Sequence, residues 1–304
     1  MKIPSKKIVD IKLIRNIYTH KKTKVYCASG KHKDSQEYIK IALKMYRKDM
    51  IINPSNVWNE RKVLERIYHH CVVLKNSVPQ LIYLYDTFIM QDDQGNSNIC
   101  FVLDYALGDP LHIYIKNKEI DILCIKSIIK QLVEAIGILH SIGIIHRDIK
   151  CNNIIFNEDT GQIKVIDMSL SCFIEKDERL TQFCGSFHTM PPEIICVVKP
   201  NYSLPFDWWS VGILTYELLF GVPPFGYHPE QNEQQLNRIN NSPDSIIFPW
   251  ELKYSNGTDI NKDLILAENF IKSLLVSDES KRLGSVNGFK EVYSHPWIST
   301  FTLK

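Results

Sequence analysis

Residues 146–153 read HRDIKCNN. His146, Arg147, Asp148, Lys150 and Asn153 crowd imidazole, guanidinium, carboxylate, ammonium and amide groups into one short run. The run follows the apolar stretch IDILCIKSIIKQLVEAIGILHSIG. It precedes two strand-like segments, NNIIF and QIKVID, joined by the turn NEDTG. The second segment ends on Asp167, so a buried strand delivers another carboxylate close by. One alternative is an ordinary polar loop after a helix, and the spacing of the remaining motifs has to decide.

Working outward, the first third of the chain reads as strands. TKVYCASG and EYIKIALKMY are strand-like runs separated by the polar turn KHKDSQ. NPSNVWNERKVLERIYHH places Val63, Leu64 and Ile67 on one helical face, with Pro54 and Ser55 as start signals. PQLIYLYDTFIM and NICFVLDYA are two more strand candidates, joined by QDDQGNS. After LGDP the periodicity changes. Ile128, Ile129, Leu132, Val133, Ile136 and Leu139 recur on one helical face, and Gly143 closes that helix. DWWSVGILTYELLFG, LNRIN and AENFIKSLLVS continue the helical texture. The expectation is α+β, with a small strand-rich part to about residue 105 and a larger helical part beyond it.

Composition is that of an ordinary soluble domain. The 304 residues are 44% hydrophobic and 23% charged, with a formal net charge of +2. No strong field marks a nucleic-acid or membrane partner, and neither is expected. The basic N-terminus lacks an apolar signal region, and no run is apolar enough to span a bilayer. Eight scattered cysteines form no C-x-x-C pair and read as reduced, buried thiols. The expected setting is therefore intracellular, cytoplasmic or nuclear.

HRDIKCNN matches the catalytic-loop pattern of the eukaryotic protein kinases, and other motifs of that family follow in order. IALK ends on Lys44, and NERKVL on the next helix carries Glu60. MPPEII, residues 190–195, resembles the A-P-E segment with Pro191 in place of alanine. FCGSFHTMPPE, DWWSVGILTYELLFGVPPF and KRLG resemble the AGC group of serine/threonine kinases, whose members include cyclic-nucleotide-dependent and ribosomal-protein kinases. The resemblance covers about residues 12–300.

The resemblance implies a bilobal protein kinase fold: an antiparallel-sheet N-lobe with one main helix over 12–105, after an extension at 1–11, and a mostly helical C-lobe over 106–300. It implies ATP and Mg²⁺ as cofactors, a protein substrate and a monomer. Asp148 would orient the substrate hydroxyl, and Lys150 would stabilise the transferred phosphoryl group. Lys44 would hold the α- and β-phosphates, paired with Glu60. Asn153 and Asp167 would ligate magnesium. Ile17, Val25, Ala42, Asp104, Ala106 and Ile155 would surround the adenine. Glu193 would bridge to Arg282, and Asp207 and Gly212 would anchor the catalytic loop.

Four departures stand out. The phosphate-covering loop falls at YTHKKT, residues 18–23, without a glycine, and Tyr18, His20 and Thr23 take the glycine positions. Side chains there should lift the loop, an effect that Lys21 and Lys22 could offset. Asp167-Met168-Ser169 replaces D-F-G. The acid is kept, Met168 is an adaptable apolar substitute packing with Leu64, Leu84 and His146, and Ser169 is strained if the glycine φ is positive. Gln182 stands where the family carries its phosphorylated threonine. Either Thr181 substitutes for it, or the segment is held without phosphate. No tail bearing a hydrophobic motif is expected after SHPWIST, since the sequence runs out at Lys304. Pro110 and Asn152 occupy positions that are acidic in relatives preferring basic substrates, although Asp109 and Glu217 remain. These departures motivate a second reading, a pseudokinase acting as a nucleotide-binding or scaffolding module. A small-molecule kinase is disfavoured by MPPE and DWWSVG.

Overall fold

The run Ile41–Tyr46 is buried on both faces, which makes its strand the centre of a sheet rather than an edge. The computed structural model describes residues 7–20, 23–76, 78–92, 94–250 and 262–300. Its contacts divide the chain into a first unit ending at Leu107 and a second starting at Gly108.

In the first unit, β1 (Ile8–His20), β2 (Thr23–His32), β3 (Tyr38–Arg47), β4 (Leu84–Gln91) and β5 (Ser97–Asp104) form an antiparallel sheet of order β1-β2-β3-β5-β4. Pleating sorts its side chains. Ala28, Ile41, Leu43, Met45, Cys100 and Val102 pack on one face with Ile8 and Met90. Directly paired residues share a face, so Val25, Lys44 and Phe101 lie together on the opposite one, beside Cys27, Ala42 and Leu103. β1 already begins at Ile8, whose side chain is in the core, so the segment read as an extension to residue 11 contributes to the sheet. Helix α1 (Pro54–Tyr68) is capped by Asn53, whose side chain accepts the Ser55 N–H; Pro54 occupies the first turn. It buries Val57, Glu60, Val63, Leu64 and Ile67 at helical spacing.

The second unit opens with the two-residue strand β6 (Asp109–Pro110) and a short helix α2 (Leu111–Asn117), neither signalled by periodicity. α3 (Ile122–Ser141) starts on the Asp121 cap, and Gly143 follows it at φ 71°. β7 (Ile144–Ile145) leads into the catalytic-loop motif. β8 (Ile154–Asn157) and β9 (Gln162–Val165) pair as a hairpin, with β6 joining β8. β10 (Cys172–Phe173) pairs with β7. A short helix α4 (Pro192–Ile195) precedes α5 (Pro205–Phe220). Every residue of α5 from Pro205 to Leu219 is buried, as expected of a helix that is apolar all round. α6 (Glu233–Asn240), α7 (Lys262–Leu274), α8 (Phe289–Tyr293) and α9 (Pro296–Ser299) complete the unit. No helix among the described residues is long and apolar enough to cross a membrane.

Arg282 and Glu193 form the expected bridge. The pair is bidentate, Nη1 to Oε1 at 2.7 Å and Nη2 to Oε2 at 2.9 Å, and the arginine is 1% exposed. Gly212 lies within α5. A Cβ there would lie 2.8 Å from Leu275 Cδ2, so the glycine lets α5 approach the end of α7.

Candidate active site

Lys44 and Glu60 lie on different elements of the first unit, β3 and α1. Burial of both makes their pairing close to obligatory, since an unpaired charge there is expensive. Lys44 Nζ lies 2.7 Å from Glu60 Oε1, with the residues 8% and 2% exposed. A third member was missed in the sequence. Tyr46 donates its phenolic O–H to Glu60 Oε2, and its ring lies 5.2 Å from Lys44 Nζ. Strand periodicity held the signal, because residues two apart share a face.

Val25 and Ala42 lie on the same sheet face as Lys44. Ile17 sits in a bulge of β1 between Asn16 and Tyr18, and is 40% exposed. Asp104 ends β5, and its carboxylate accepts the Tyr83 N–H at 2.6 Å. Ala106 follows in the irregular connector. The glycine-free segment continues the β1–β2 ladder, with Tyr18 opposite Val25 and His20 opposite Thr23. Lys21 and Lys22 lie outside the described residues.

In the second unit, the loop between β7 and β8 is hung on one buried carboxylate. Asp207, in the first turn of α5, accepts the N–H groups of His146 at 2.9 Å and Arg147 at 2.8 Å. His140 Nε2 is 2.9 Å from the same carboxylate. Burial pushes the Asp207 carboxyl up, but His140 and the amide donors outweigh it and hold it below the ordinary range. His146 is fully buried, which pushes its imidazole down, and its Nδ1 accepts the Asp148 N–H.

This anchoring brings the three motif residues together. Asn153 Nδ2 donates to Asp148 O at 2.9 Å and to Oδ2 at 2.8 Å. Both partners are pure acceptors, so the amide nitrogen faces Asp148 and Asn153 Oδ1 is directed elsewhere. Lys150 Nζ lies 2.9 Å from Asp148 Oδ2. Ser186, the serine of FCGSFHTMPPE, completes the group, although the motif did not reveal its partners. It donates to Asp148 Oδ1 at 2.7 Å and accepts from Lys150 Nζ at 2.7 Å.

The β8–β9 hairpin determines where Asp167 goes. Ile154 pairs with Val165, and Ile166 N–H donates to Asn153 O at 2.8 Å. Asn153 and Asp167 therefore flank the same end of one hairpin. Ile155, opposite Pro110 and Lys164, lies within it. Asp167 takes φ 64°, and its Oδ1 accepts the Ser169 N–H at 3.2 Å. The strain considered for Ser169 is not there: among the described residues of this segment, the positive φ falls on Asp167. Met168 is fully buried, with its sulfur 3.4 Å from Ser171 Oγ.

Glu217 is committed to partners within its own unit. Its carboxylate accepts from Tyr227 Oη at 3.0 Å and Cys151 Sγ at 3.3 Å, and burial pushes it above the ordinary range.

A family model described as Protein kinase domain matches residues 21–298. The chain is 32% identical over 271 residues to ribosomal protein S6 kinase alpha-4 of Mus musculus, covering 84% of this chain and 31% of that protein. It is 30% identical over 245 residues to cAMP-dependent protein kinase catalytic subunit 3 of Drosophila melanogaster, covering 80% and 36%. Over 301 residues it is 29% identical to human myosin light chain kinase family member 4, covering 95% and 69%. The chain thus spans about a third of the first two relatives, both serine/threonine kinases of the group that its motifs resemble. The chain belongs to the protein kinase family.

Proposed function

We propose that this chain is an active serine/threonine protein kinase that transfers the γ-phosphate of ATP to a protein hydroxyl. The observation that carries the reading is the hydrogen-bonded network of Asp148, Lys150, Asn153 and Ser186. Phosphoryl transfer needs mainly positioning and charge stabilisation, and these groups supply both.

In the second unit, Asp148 accepts the proton of the substrate hydroxyl and Lys150 neutralises charge on the phosphoryl oxygens. Asn153 Oδ1 and the Asp167 carboxylate are hard oxygen donors, which suits Mg²⁺. The ion, when bound, offsets phosphate charge. In the first unit, Lys44 offers its ammonium to the phosphates while Glu60 and Tyr46 hold it in place. Val25 and Ala42, on the same face, offer apolar surface to the adenine, with Ile17 and the Asp104–Ala106 connector assigned beside them.

A catalytically inactive nucleotide-binding module is the second reading. It is favoured by the sequence YTHKKT, residues 18–23, which lacks glycines that would let backbone N–H groups approach phosphates. One experiment tests the nucleotide binding that both readings share, and a second tests the turnover that only the first requires. Thermal shift with ATP, with and without Mg²⁺, should show stabilisation; none in either condition overturns nucleotide binding. Peptide phosphorylation should disappear in Asp148→Ala, and turnover that survives the change overturns the assignment of Asp148.

A further inference from the structure

Arg147 is 5% exposed and takes φ 66°, so its guanidinium is a buried cation held by a constrained backbone. It reaches three separate stretches of chain. Nε donates to Leu170 O at 2.7 Å; Nη1 donates to Gln182 Oε1 at 3.2 Å and Tyr202 Oη at 3.0 Å. All three acceptors, one backbone carbonyl and two side chains, are neutral, and no carboxylate among the described residues pairs with this guanidinium. Neutral acceptors are what keep such a buried charge tolerable.

Gln182 is held from two directions. Tyr202, which accepts from Arg147, donates its own O–H to Gln182 O at 2.9 Å. Leu180 and Tyr202 exchange backbone hydrogen bonds of 2.8 and 3.0 Å. Gly185 takes φ 118°, and a Cβ there would lie 3.1 Å from Arg147 O, so the segment runs tightly along the catalytic loop. The next residue is Ser186, on Asp148 and Lys150.

We propose that Gln182 is a positioning residue: its amide oxygen on Arg147 fixes the 180–186 segment, and so Ser186 on Asp148, without any phosphate on that segment. An amide is a permanent acceptor that no phosphatase removes, whereas a phosphate on neighbouring Thr181 would add charge that the present arrangement does not require. The catalytic consequence rests on the kinase reading; the structural lock does not.

The test uses the full chain, phosphatase-treated and shown phosphate-free by mass spectrometry, as wild type, Gln182→Ala and Gln182→Glu. One readout is the rate of tryptic cleavage after the exposed Lys176 and Arg179; the other is kcat and KM for a peptide and for ATP. Phosphate-free wild type should keep its slow cleavage and its turnover. Gln182→Ala should be cut faster and lose kcat by about tenfold, the size expected for losing a hydrogen bond to a charged donor, with the KM for ATP unchanged. Gln182→Glu, still an acceptor for Arg147, should restore both. Three results overturn the lock: Gln182→Ala cut at the wild-type rate, Gln182→Glu failing to restore resistance, or wild type losing resistance when phosphate is removed. If no protein turns over, wild type included, the kinase reading fails while the cleavage rates still decide the lock.

Discussion

The Ser186 hydroxyl stands between the two charged groups of the catalytic loop, donating to Asp148 Oδ1 and accepting from Lys150 Nζ, both at 2.7 Å. A charged donor and a charged acceptor thus share one neutral oxygen. Ser186→Ala should lower kcat/KM for a peptide by about 10-fold to 100-fold, the range for losing hydrogen bonds to charged groups. Ser186→Thr keeps the hydroxyl and should stay near wild type. Steady-state kinetics of both variants decide it, and equal rates for alanine and threonine would remove Ser186 from the site.

Tyr46 and Lys44 share Glu60, so their removal should differ in size. Tyr46→Phe deletes one donor to a buried carboxylate and should cost about 1–3 kcal/mol in urea unfolding. Lys44→Met leaves a buried charge without its counter-ion and should cost about 3–5 kcal/mol. Equal costs would show that the phenol holds Glu60 as strongly as the ammonium does. ATP stabilisation in thermal shift should survive Tyr46→Phe and fall in Lys44→Met.

Arg282 is matched to Glu193 by two parallel hydrogen bonds and also donates to Pro205 O at 3.0 Å. Lysine cannot reproduce that fork. Arg282→Lys should therefore destabilise almost as much as Arg282→Met, by about 3–5 kcal/mol. Denaturant midpoints measure this, and a lysine variant indistinguishable from wild type would contradict it.

Acid should weaken the fold through its buried histidines. Burial pushes His295 down to about 4, and burial together with Lys150 does the same to His188, from the ordinary 6.5. Below pH 6.5 the unfolded chain takes up protons that the folded chain refuses, so stability falls as pH drops from about 6.5 to 4. Glu217, held above its ordinary range, works in the opposite direction and only softens the slope. Melting temperature followed over this interval should decline, and His295→Gln should flatten the decline. An unchanged slope in that variant would show that His295 does not contribute.

How much was legible in advance varied with the range of the interaction. The β2, β3, α1 and α3 segments were readable because alternation or a helical face repeats within each one. β6 and α2 were not, since neither is long enough to establish a period. Tyr46 was one step from legible, two residues beyond Lys44 on the same strand. The close approach of Gly212 to Leu275 was not legible, since the two lie far apart along the chain.

Short, ordered motifs already carried the family, the anchoring acid Asp207 and the identity of the charged groups, because each packs the needed residue types into a single run. Packing in three dimensions settled which neutral groups meet those charges: Tyr46 on Glu60, Ser186 on Asp148, Gln182 and Tyr202 on Arg147. Position in a strand or motif can point to such a residue, but a serine, glutamine or tyrosine carries no charge that names its partner, here 14 to 55 residues away. Which buried charge it satisfies is set by how strands, loops and helices pack, and that packing must supply every buried charge with a donor or acceptor.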